Sequence, residues 1–190
     1  MKNRENIYNI PNALTILRII LTFVIIAMIF LNFNITQIII VFVIGALTDL
    51  LDGQIARRFH LCTEFGRKAD LIADRFLWIG TALSFIIFFS ITGKLNILHY
   101  IQIVFIMSRE IISAPFAIIA FYKKYNLPHA KFIAKVNTFI QGFALPALIL
   151  SVFYPQWTYL SLPLSVAILV TGTLSAKIYI SEYDADKPNS

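Results

Sequence analysis

Two pairs of aspartates are the residues of this sequence best suited to chemistry. Asp49 and Asp52 are three positions apart, and Asp70 and Asp74 are four positions apart. Residues at these spacings lie on one face of a helix, so each pair can present both carboxylates in one direction. Carboxylate oxygens are the ligands that Mg²⁺, Mn²⁺ and Ca²⁺ prefer, and no His or Cys stands at matching spacing for zinc. The four aspartates therefore predict a site for hard divalent cations.

Small residues and cations accompany these carboxylates. Gly53 follows Asp52 directly, Ala56 lies about one turn further on, and Gly66 lies one turn before Asp70. Small side chains here leave room for a bulky group against the helix backbone. The nearby cations are of the kind that bind phosphate, although we favour an ordinary anchoring role at Arg58 and Lys68. They are Arg57, Arg58, Arg67, Lys68 and Arg75.

The composition indicates that this site belongs to an integral membrane protein. Of the 190 residues, 58% are hydrophobic and 14% are charged, with a mean hydropathy of +0.77. Soluble domains have about 25% charged residues, so this chain has replaced solvated surface with apolar surface. At roughly 20 residues per span, the length leaves no room for a separate soluble domain. The chemistry must therefore take place among the membrane spans.

Six apolar runs predict six transmembrane helices with both termini on one side. Basic residues are concentrated at the termini and in the connections after the second and fourth runs, whereas the opposite connections hold only Lys94. The positive-inside rule then places the termini and the aspartates in the cytoplasm. Trp78 and Trp157 are expected as interface anchors, and His99 as a surface residue. The runs are Ile10 to Phe33, Ile35 to Leu51, Asp70 to Ile91, Ile97 to Tyr122, Phe132 to Phe153 and Tyr159 to Ile180.

The pattern of these residues resembles the signature of the CDP-alcohol phosphotransferase family. That signature reads Asp49-x-x-Asp52-Gly53-x-x-Ala56-Arg57, then, after eight residues, Gly66-x-x-x-Asp70-x-x-x-Asp74. Further stretches are similar to the glycerolipid branch of the family: Asn9 to Thr15 with Arg18, Ser108-Arg109-Glu110, and Lys135-Val-Asn137-Thr138-x-x-Gln141. The resemblance implies an all-α membrane protein, a single domain over residues 1–190 with a short amphipathic N-terminal segment before the spans.

The resemblance also implies a reaction and its residues. Family members use two divalent cations, Mg²⁺ or Mn²⁺, to transfer a phosphatidyl group from CDP-diacylglycerol to an alcohol with release of CMP. Asp49, Asp52, Asp70 and Asp74 would bind metal, and Asp74 would be the general base. The CDP group would be bound by Asp49, Asp52, Gly53, Ala56, Arg57 and Gly66.

The sequence indicates the alcohol acceptor less clearly than it indicates the reaction. The candidates that bind it are Arg109, Lys131, Lys135, Asn137 and Thr138. Their cations suit the phosphate of glycerol-3-phosphate, which we favour slightly. However, Asn137 stands where a second lysine is usual, and this form is similar to the cardiolipin synthases of the family, whose acceptor is phosphatidylglycerol. Leu71, in place of a usual proline, marks a divergent member. Inositol-phosphate and serine acceptors rank lower.

Two hypotheses come from other classes of protein. Intramembrane carboxylates also mark ion or proton pathways, but these aspartates lie at span ends beside cations rather than near mid-membrane. A metal-dependent lipid phosphatase would hydrolyse CDP-diacylglycerol without an acceptor. The resemblance further implies a homodimer in lipid, in a bacterial inner or plasma membrane. No nucleic-acid partner is needed to explain the net charge of +6.

Overall fold

A computed structural model describes residues 10–58, 64–122 and 132–185, and the regular elements within these ranges are all helical. At some helix positions, including 49–58, only the backbone is described. The chain divides into two compact units, Met1–Gly93 and Lys94–Ser190. The prediction of an all-α protein is confirmed for the described residues.

The first unit contains three helices, with the first packed against the other two. They are α1 (Ile10–Phe30), α2 (Ile35–Arg58) and α3 (Glu64–Ile91). Phe42, Leu77 and Phe85 are fully buried between them. A Cβ at Gly80 would meet the Cγ2 of Thr22 at 3.3 Å, so glycine lets α3 approach α1 closely. The helices that carry the two aspartate pairs are thus both held by α1.

The α1 helix has a polar inner stripe and an apolar outer face. Pro11 is buried, and from Asn12 onward the buried residues recur every three or four positions: Asn12, Thr15, Arg18, Thr22, Ile25 and Ile29. The exposed residues include Ile16, Ile20 and Phe23. This arrangement is the reverse of a soluble helix and is typical of a helix whose outer face contacts lipid. The expected amphipathic segment is not separate, because residues 10–15 already form the start of α1, and residues 1–9 lie outside the described part.

Asparagines form the turn between α1 and α2. Asn32 has a left-handed φ of 54°, its N–H donates to the Ile29 carbonyl, and the N–H of Phe33 donates to the Met28 carbonyl. This is the Schellman pattern that closes a helix C-terminus. The side chain of Asn34 then accepts from the N–H of Thr36 and caps α2.

The second unit is arranged around its last helix. Its elements are α4 (Ile97–Ile106), α5 (Ser108–Tyr122), α6 (Phe132–Phe153), a 3₁₀ turn (Pro155–Trp157) and α7 (Thr158–Ala185). α7 contacts α4, α5 and α6, and Leu145, Leu148 and Ile168 are fully buried in this core. Asn96 and His99 form a capping box at the start of α4. The expectation of a surface role for His99 is wrong, because it is buried in this cap.

The run predicted as one span from Ile97 to Tyr122 is interrupted at Met107. Its φ of −90° and ψ of 5° fall outside the helical range, and α5 begins at the next residue. The Ile106 carbonyl accepts a hydrogen bond from Nε2 of Gln141 in α6 at 3.2 Å. A side chain that bonds a helix carbonyl in this way is a recognised cause of a helix break.

Four of the described helical stretches are long and apolar enough to cross a membrane. They are Ile10–Phe30, Ile72–Ile91, Phe132–Phe153 and Pro155–Ile178. Two shorter apolar stretches, Ile35–Thr48 and Ile97–Ile106, correspond to the remaining predicted spans. The second is short because of the break at Met107. The structure thus supports a membrane protein but does not confirm the predicted count of six spans.

Candidate active site

The two aspartate pairs lie on helices of the first unit, as the sequence predicts. Asp49 and Asp52 belong to the C-terminal half of α2, and Asp70 and Asp74 to the N-terminal half of α3. The side chains of Asp49 and Asp52 lie outside the described residues. The geometry of the site is therefore given by the α3 pair and its neighbours.

A buried arginine holds the carboxylate of Asp70. The guanidinium Nη1 of Arg18 in α1 donates to Asp70 Oδ1 at 2.9 Å. Arg18 has no exposed surface, whereas the Asp70 side chain is 43% exposed. A buried cation requires a counter-charge, so this pair ties α3 to α1 while leaving the carboxylate accessible to solvent or a ligand.

A tryptophan holds the carboxylate of Asp74. The indole Nε1 of Trp78, one turn further along α3, donates to Asp74 Oδ1 at 2.9 Å. Trp78 is 3% exposed, and its ring packs edge-on against Phe42 of α2 with the centroids 5.2 Å apart. The expectation that Trp78 is an interface anchor is wrong, because its polar atom faces the aspartate and its ring faces α2.

The described carboxylates suit a hard divalent cation. Asp70 and Asp74 lie one turn apart on one face of α3, Asp70 is accessible, and both offer only oxygen donors. Within the described side chains, no group of three or more potential ligands is assembled. The two further aspartates that would complete such a group are those of α2. The described residues of α3 thus suit a hard cation, and the participation of the α2 aspartates remains a prediction.

Most of the predicted CDP-binding residues fall where only the backbone is described. Gly53, Ala56 and Arg57 all lie within the helical backbone of α2. Gly66 lies in the first turn of α3 and is half-buried. Their contacts with a nucleotide remain a prediction from the resemblance.

Two predicted acceptor residues meet in the second unit. The Nη1 of Arg109 in α5 donates to the Thr138 hydroxyl of α6 at 3.0 Å, and lies 3.8 Å from Oε1 of Glu110. The Thr138 hydroxyl in turn donates to the Ala134 carbonyl of its own helix. The Arg109 side chain is 23% exposed. It therefore offers a cation that is oriented yet reachable by an anionic ligand.

The other predicted acceptor residues are not grouped in this way. Lys135 is exposed on α6, and Lys131 lies outside the described residues. Asn137 is fully buried, and its Oδ1 accepts from the Thr171 hydroxyl of α7 at 2.9 Å. Asn137 is thus placed as a contact between α6 and α7, and its predicted role toward the acceptor is not supported by exposure.

A cluster of buried polar residues lies next to Arg109. Gln141 is fully buried, and its Nε2 bonds the Ile106 carbonyl and lies 3.4 Å from Oε2 of Glu110. A Cβ at Gly172 of α7 would lie 2.7 Å from the Ser108 hydroxyl and 3.2 Å from Asn137 Oδ1, so glycine lets α7 approach this part of α5 closely. The cluster fixes α5 against α6 and α7 at the residues next to Arg109.

The sequence was compared with those of known protein families. The family described as CDP-alcohol phosphatidyltransferase matches residues 8–172. The chain belongs to this family. The match includes all four aspartates and the Arg109–Thr138 pair, so the resemblance predicted from the motifs is confirmed, and with it a phosphatidyltransferase enzyme. Members of the CDP-alcohol phosphatidyltransferase family are generally dependent on divalent metals.

Curated relatives of this CDP-alcohol phosphatidyltransferase are bacterial. A CDP-diacylglycerol–glycerol-3-phosphate 3-phosphatidyltransferase of Rickettsia felis is 35% identical over 75% of each chain. One of the same name from Rickettsia bellii is 30% identical over 94% of this chain and 96% of its own. A probable phosphatidylglycerophosphate synthase of Mycobacterium tuberculosis is 30% identical over 88% of this chain and 78% of its own. None of these names favours the cardiolipin synthase alternative.

Sequence reasoning missed several partners of the family residues. The four-residue spacing of Asp74 and Trp78 could have indicated their contact, because such residues are neighbours on a helix. The Arg18–Asp70 pair spans 52 positions, and only the presence of a lone arginine in an apolar helix hinted at it. The Gln141–Glu110 contact had no local signal.

Proposed function

We propose that this chain transfers the phosphatidyl group of CDP-diacylglycerol to glycerol-3-phosphate, giving phosphatidylglycerol phosphate and CMP. The observation that carries the proposal is the alignment, over almost the full length of both chains, with a relative named for that reaction. The accessible Asp70 and the oriented Arg109 support it, since they supply an anionic site for cations and a cation for the acceptor phosphate.

In the proposed reaction, a hydroxyl oxygen of the acceptor attacks the phosphorus of the phosphatidyl group. The bond from that phosphorus to the CMP oxygen breaks, and the hydroxyl proton passes to Asp74. Asp74 is suited to this role because its carboxylate already has a fixed orientation, through the bond from Trp78. Holding the base in place removes part of the entropic cost of reaching the transition state.

Asp49, Asp52, Asp70 and Asp74 would hold the two Mg²⁺ or Mn²⁺ ions. When bound, these cations would stabilise the negative charge that builds on the phosphate of the leaving CMP. Arg18 would keep Asp70 turned toward them, since its guanidinium bonds one oxygen of that carboxylate. The parts of α2 and α3 that carry these residues would thus form a rigid support for CDP-diacylglycerol.

The donor nucleotide would lie against the backbone of α2 and α3. Gly53, Ala56 and Gly66 would leave room for cytidine and its diphosphate, and Arg57 would pair with phosphate. Asp49 and Asp52 would contact the same diphosphate through the cations. The acyl chains would remain in lipid beside the apolar outer faces of the helices, such as that of α1.

The acceptor phosphate would be bound by cations of the second unit. Arg109 is the strongest candidate, since Thr138 orients its guanidinium and part of its surface is exposed. Lys135 and Lys131 would add positive charge. Asn137 would act indirectly, by holding α6 against α7. Phosphatidylglycerol, the acceptor in cardiolipin synthesis, has no phosphomonoester dianion and would make less use of this set of cations.

The direct test is a product analysis of the purified protein in detergent with CDP-diacylglycerol and Mg²⁺. The acceptors are glycerol-3-phosphate, phosphatidylglycerol, inositol phosphate, serine or none, and the released CMP and new lipids are identified by mass spectrometry. We expect CMP and phosphatidylglycerol phosphate with glycerol-3-phosphate only, loss of both with a chelator, and recovery with Mg²⁺ or Mn²⁺. Cardiolipin, or CMP without any acceptor, would instead identify a cardiolipin synthase or a phosphatase. No CMP under any condition would favour an ion pathway.

The general-base role predicts the behaviour of Asp74→Asn in the same assay. We expect kcat to fall by roughly 10²- to 10⁴-fold, the usual contribution of general-base catalysis. The amide still offers an oxygen to the Trp78 indole, so the fold is retained. Retained transfer in the folded variant would exclude Asp74 as the base.

We also propose that the chain is a multi-pass, homodimeric protein of a bacterial plasma membrane, with both termini and the site in the cytoplasm. The basic residues near the predicted connections support this orientation. Cys62, the only cysteine, lies between α2 and α3 in the sequence. A membrane-impermeant maleimide should therefore label inverted vesicles but not intact spheroplasts, and the reverse pattern would refute the orientation. Light scattering in detergent tests the dimer.

A further inference from the structure

Trp78 stands out as a buried polar side chain directed at a residue of the proposed catalytic machinery. Its indole N–H donates to Asp74 Oδ1 at 2.9 Å, and only 3% of the residue is exposed. An indole nitrogen can only donate, so the bond requires the carboxylate oxygen to stay in place. This tryptophan thus forms part of the immediate surroundings of Asp74.

The ring of Trp78 is itself held in place. Phe42 of α2 is fully buried and meets the indole edge-on, with the ring planes at 78° and the centroids 5.2 Å apart. Aromatic pairs prefer this arrangement, and close packing in the interior of the unit resists a change of rotamer. The donor therefore cannot follow a carboxylate that rotates. The terminal torsion of an aspartate is soft, so the fixed donor selects one orientation of Asp74.

The two aspartates of α3 are held by different kinds of donor. Asp70 receives a hydrogen bond from a buried cation, Arg18, which also supplies a counter-charge. The bond from Trp78 to Asp74 orients a carboxylate without adding a positive charge of its own. The contribution of Trp78 to Asp74 is therefore one of direction, because its donor is neutral and its ring is fixed against Phe42.

We infer that Trp78 is a positioning residue for Asp74, one that fixes the direction from which this carboxylate accepts the proton of the acceptor hydroxyl. The inference rests on the proposed function, in which Asp74 is the general base. Trp78 lies outside the family signature, and the inference gives it a role in the reaction. Phe42 of α2 packs against the Trp78 ring, and the Trp78 indole bonds Asp74.

The test uses Trp78→Phe, which removes the N–H but keeps an aromatic ring against Phe42. Both proteins carry Trp157→Phe, so that Trp78 is the only tryptophan of the reference protein. We expect Trp78→Phe to lower kcat by roughly 10- to 100-fold, as for partners that orient functional groups. The KM values for CDP-diacylglycerol and glycerol-3-phosphate should change less than twofold. A purely structural role would reduce the yield of folded protein and leave the kcat of the folded fraction unchanged, which would overturn the inference.

Fluorescence gives a second measurement that does not depend on the folding of Trp78→Phe. In the Trp157→Phe protein, Asp74→Ala should shift the emission of Trp78, because the indole loses an anionic neighbour. An unchanged spectrum would overturn the inference, since the two groups would then not be in contact. If the reference protein itself releases no CMP with any acceptor, the proposed function fails. A normally active reference beside an equally active Trp78→Phe would refute the positioning role alone.

Discussion

The two units of this protein hold their polar side chains in opposite ways. In the first unit, side-chain donors hold two carboxylates that remain partly accessible, Asp70 through Arg18 and Asp74 through Trp78. In the second unit, the most buried polar groups are neutral amides that connect helices, Asn137 to α7 and Gln141 to the break between α4 and α5. The first arrangement presents charge, and the second connects helices around the accessible cation of Arg109.

This difference matters because charge is expensive inside a membrane protein. A carboxylate within a span costs roughly 2.5–3.5 kcal/mol on insertion scales and is retained where it serves function. Buried amides carry no net charge, and they join helices at lower cost when hydrogen-bonded. Variants of the first unit should therefore change charge balance and catalytic rate, whereas variants of the second should change helix contacts and acceptor affinity.

The largest effect on stability is expected for Asp70→Ala. It removes a counter-charge from Arg18, which has no exposed surface. Removing one partner of a buried ion pair lowers the free energy of unfolding by about 3 kcal/mol. This value is the lower end of the usual range, because the Asp70 side chain is itself accessible. Thermal unfolding in detergent measures the loss.

Asp74→Ala is the matched control for this pair. It removes the hydrogen bond from the neutral indole of Trp78, worth about 1 kcal/mol. Adding Arg18→Met to Asp70→Ala should recover part of the lost stability, since the buried cation that has lost the Asp70 carboxylate is then absent. Equal losses for the two alanine variants, with no recovery in the double variant, would show that the Arg18 charge does not need Asp70.

An intermediate effect, this time on substrate affinity, is expected for Arg109→Gln. The change removes the charge but keeps a side chain able to donate to Thr138. Hydrogen bonds to charged groups contribute about 1.5–3 kcal/mol, so KM for glycerol-3-phosphate should rise roughly 10- to 100-fold. KM for CDP-diacylglycerol should stay within twofold of its value in the unmodified protein.

Thr138→Val sharpens the same comparison. It removes the hydroxyl that orients Arg109 but keeps the cation, so we expect a smaller rise in the same KM, of about fivefold. Steady-state kinetics with each substrate varied in turn measures both variants. If Arg109→Gln raises KM for the nucleotide donor instead, Arg109 belongs to the donor site.

The sequence was sufficient for the features that depend on local pattern. The aspartate pairs could be placed on two helices because their spacing matches one helical face, and α6 has the bounds of its apolar run, Phe132–Phe153. The family could be recognised for the same reason, since its signature is a fixed local spacing. These features need no knowledge of which helices touch.

The features that depend on contacts between helices could not be predicted. Nothing in the apolar run around Met107 marks a break, because the group that bonds the freed Ile106 carbonyl is Gln141, 35 positions away. Trp78 resembles any interface tryptophan until its neighbours Asp74 and Phe42 are known. Similarly, Asn137 has the sequence context of an acceptor residue, and only its burial against Thr171 of α7 reveals a packing role.

A smaller effect on stability than that of Asp70→Ala, and the one most specific to helix contacts, is expected for Gly172→Ala. A Cβ there would lie 2.7 Å from the Ser108 hydroxyl and 3.3 Å from the backbone nitrogen of Arg109, so the hydroxyl must rotate away and the backbone of α5 must shift by a few tenths of an ångström. Overpacking of this kind costs about 1–2 kcal/mol, and the displaced Arg109 should also raise KM for glycerol-3-phosphate slightly.

Gly142→Ala is the matched control, because a Cβ at Gly142 meets nothing within 4 Å and alanine favours the helix. Thermal unfolding of both variants should show a loss for Gly172→Ala and none for Gly142→Ala. Equal stability would mean that the packing of α7 does not depend on close approach at Gly172.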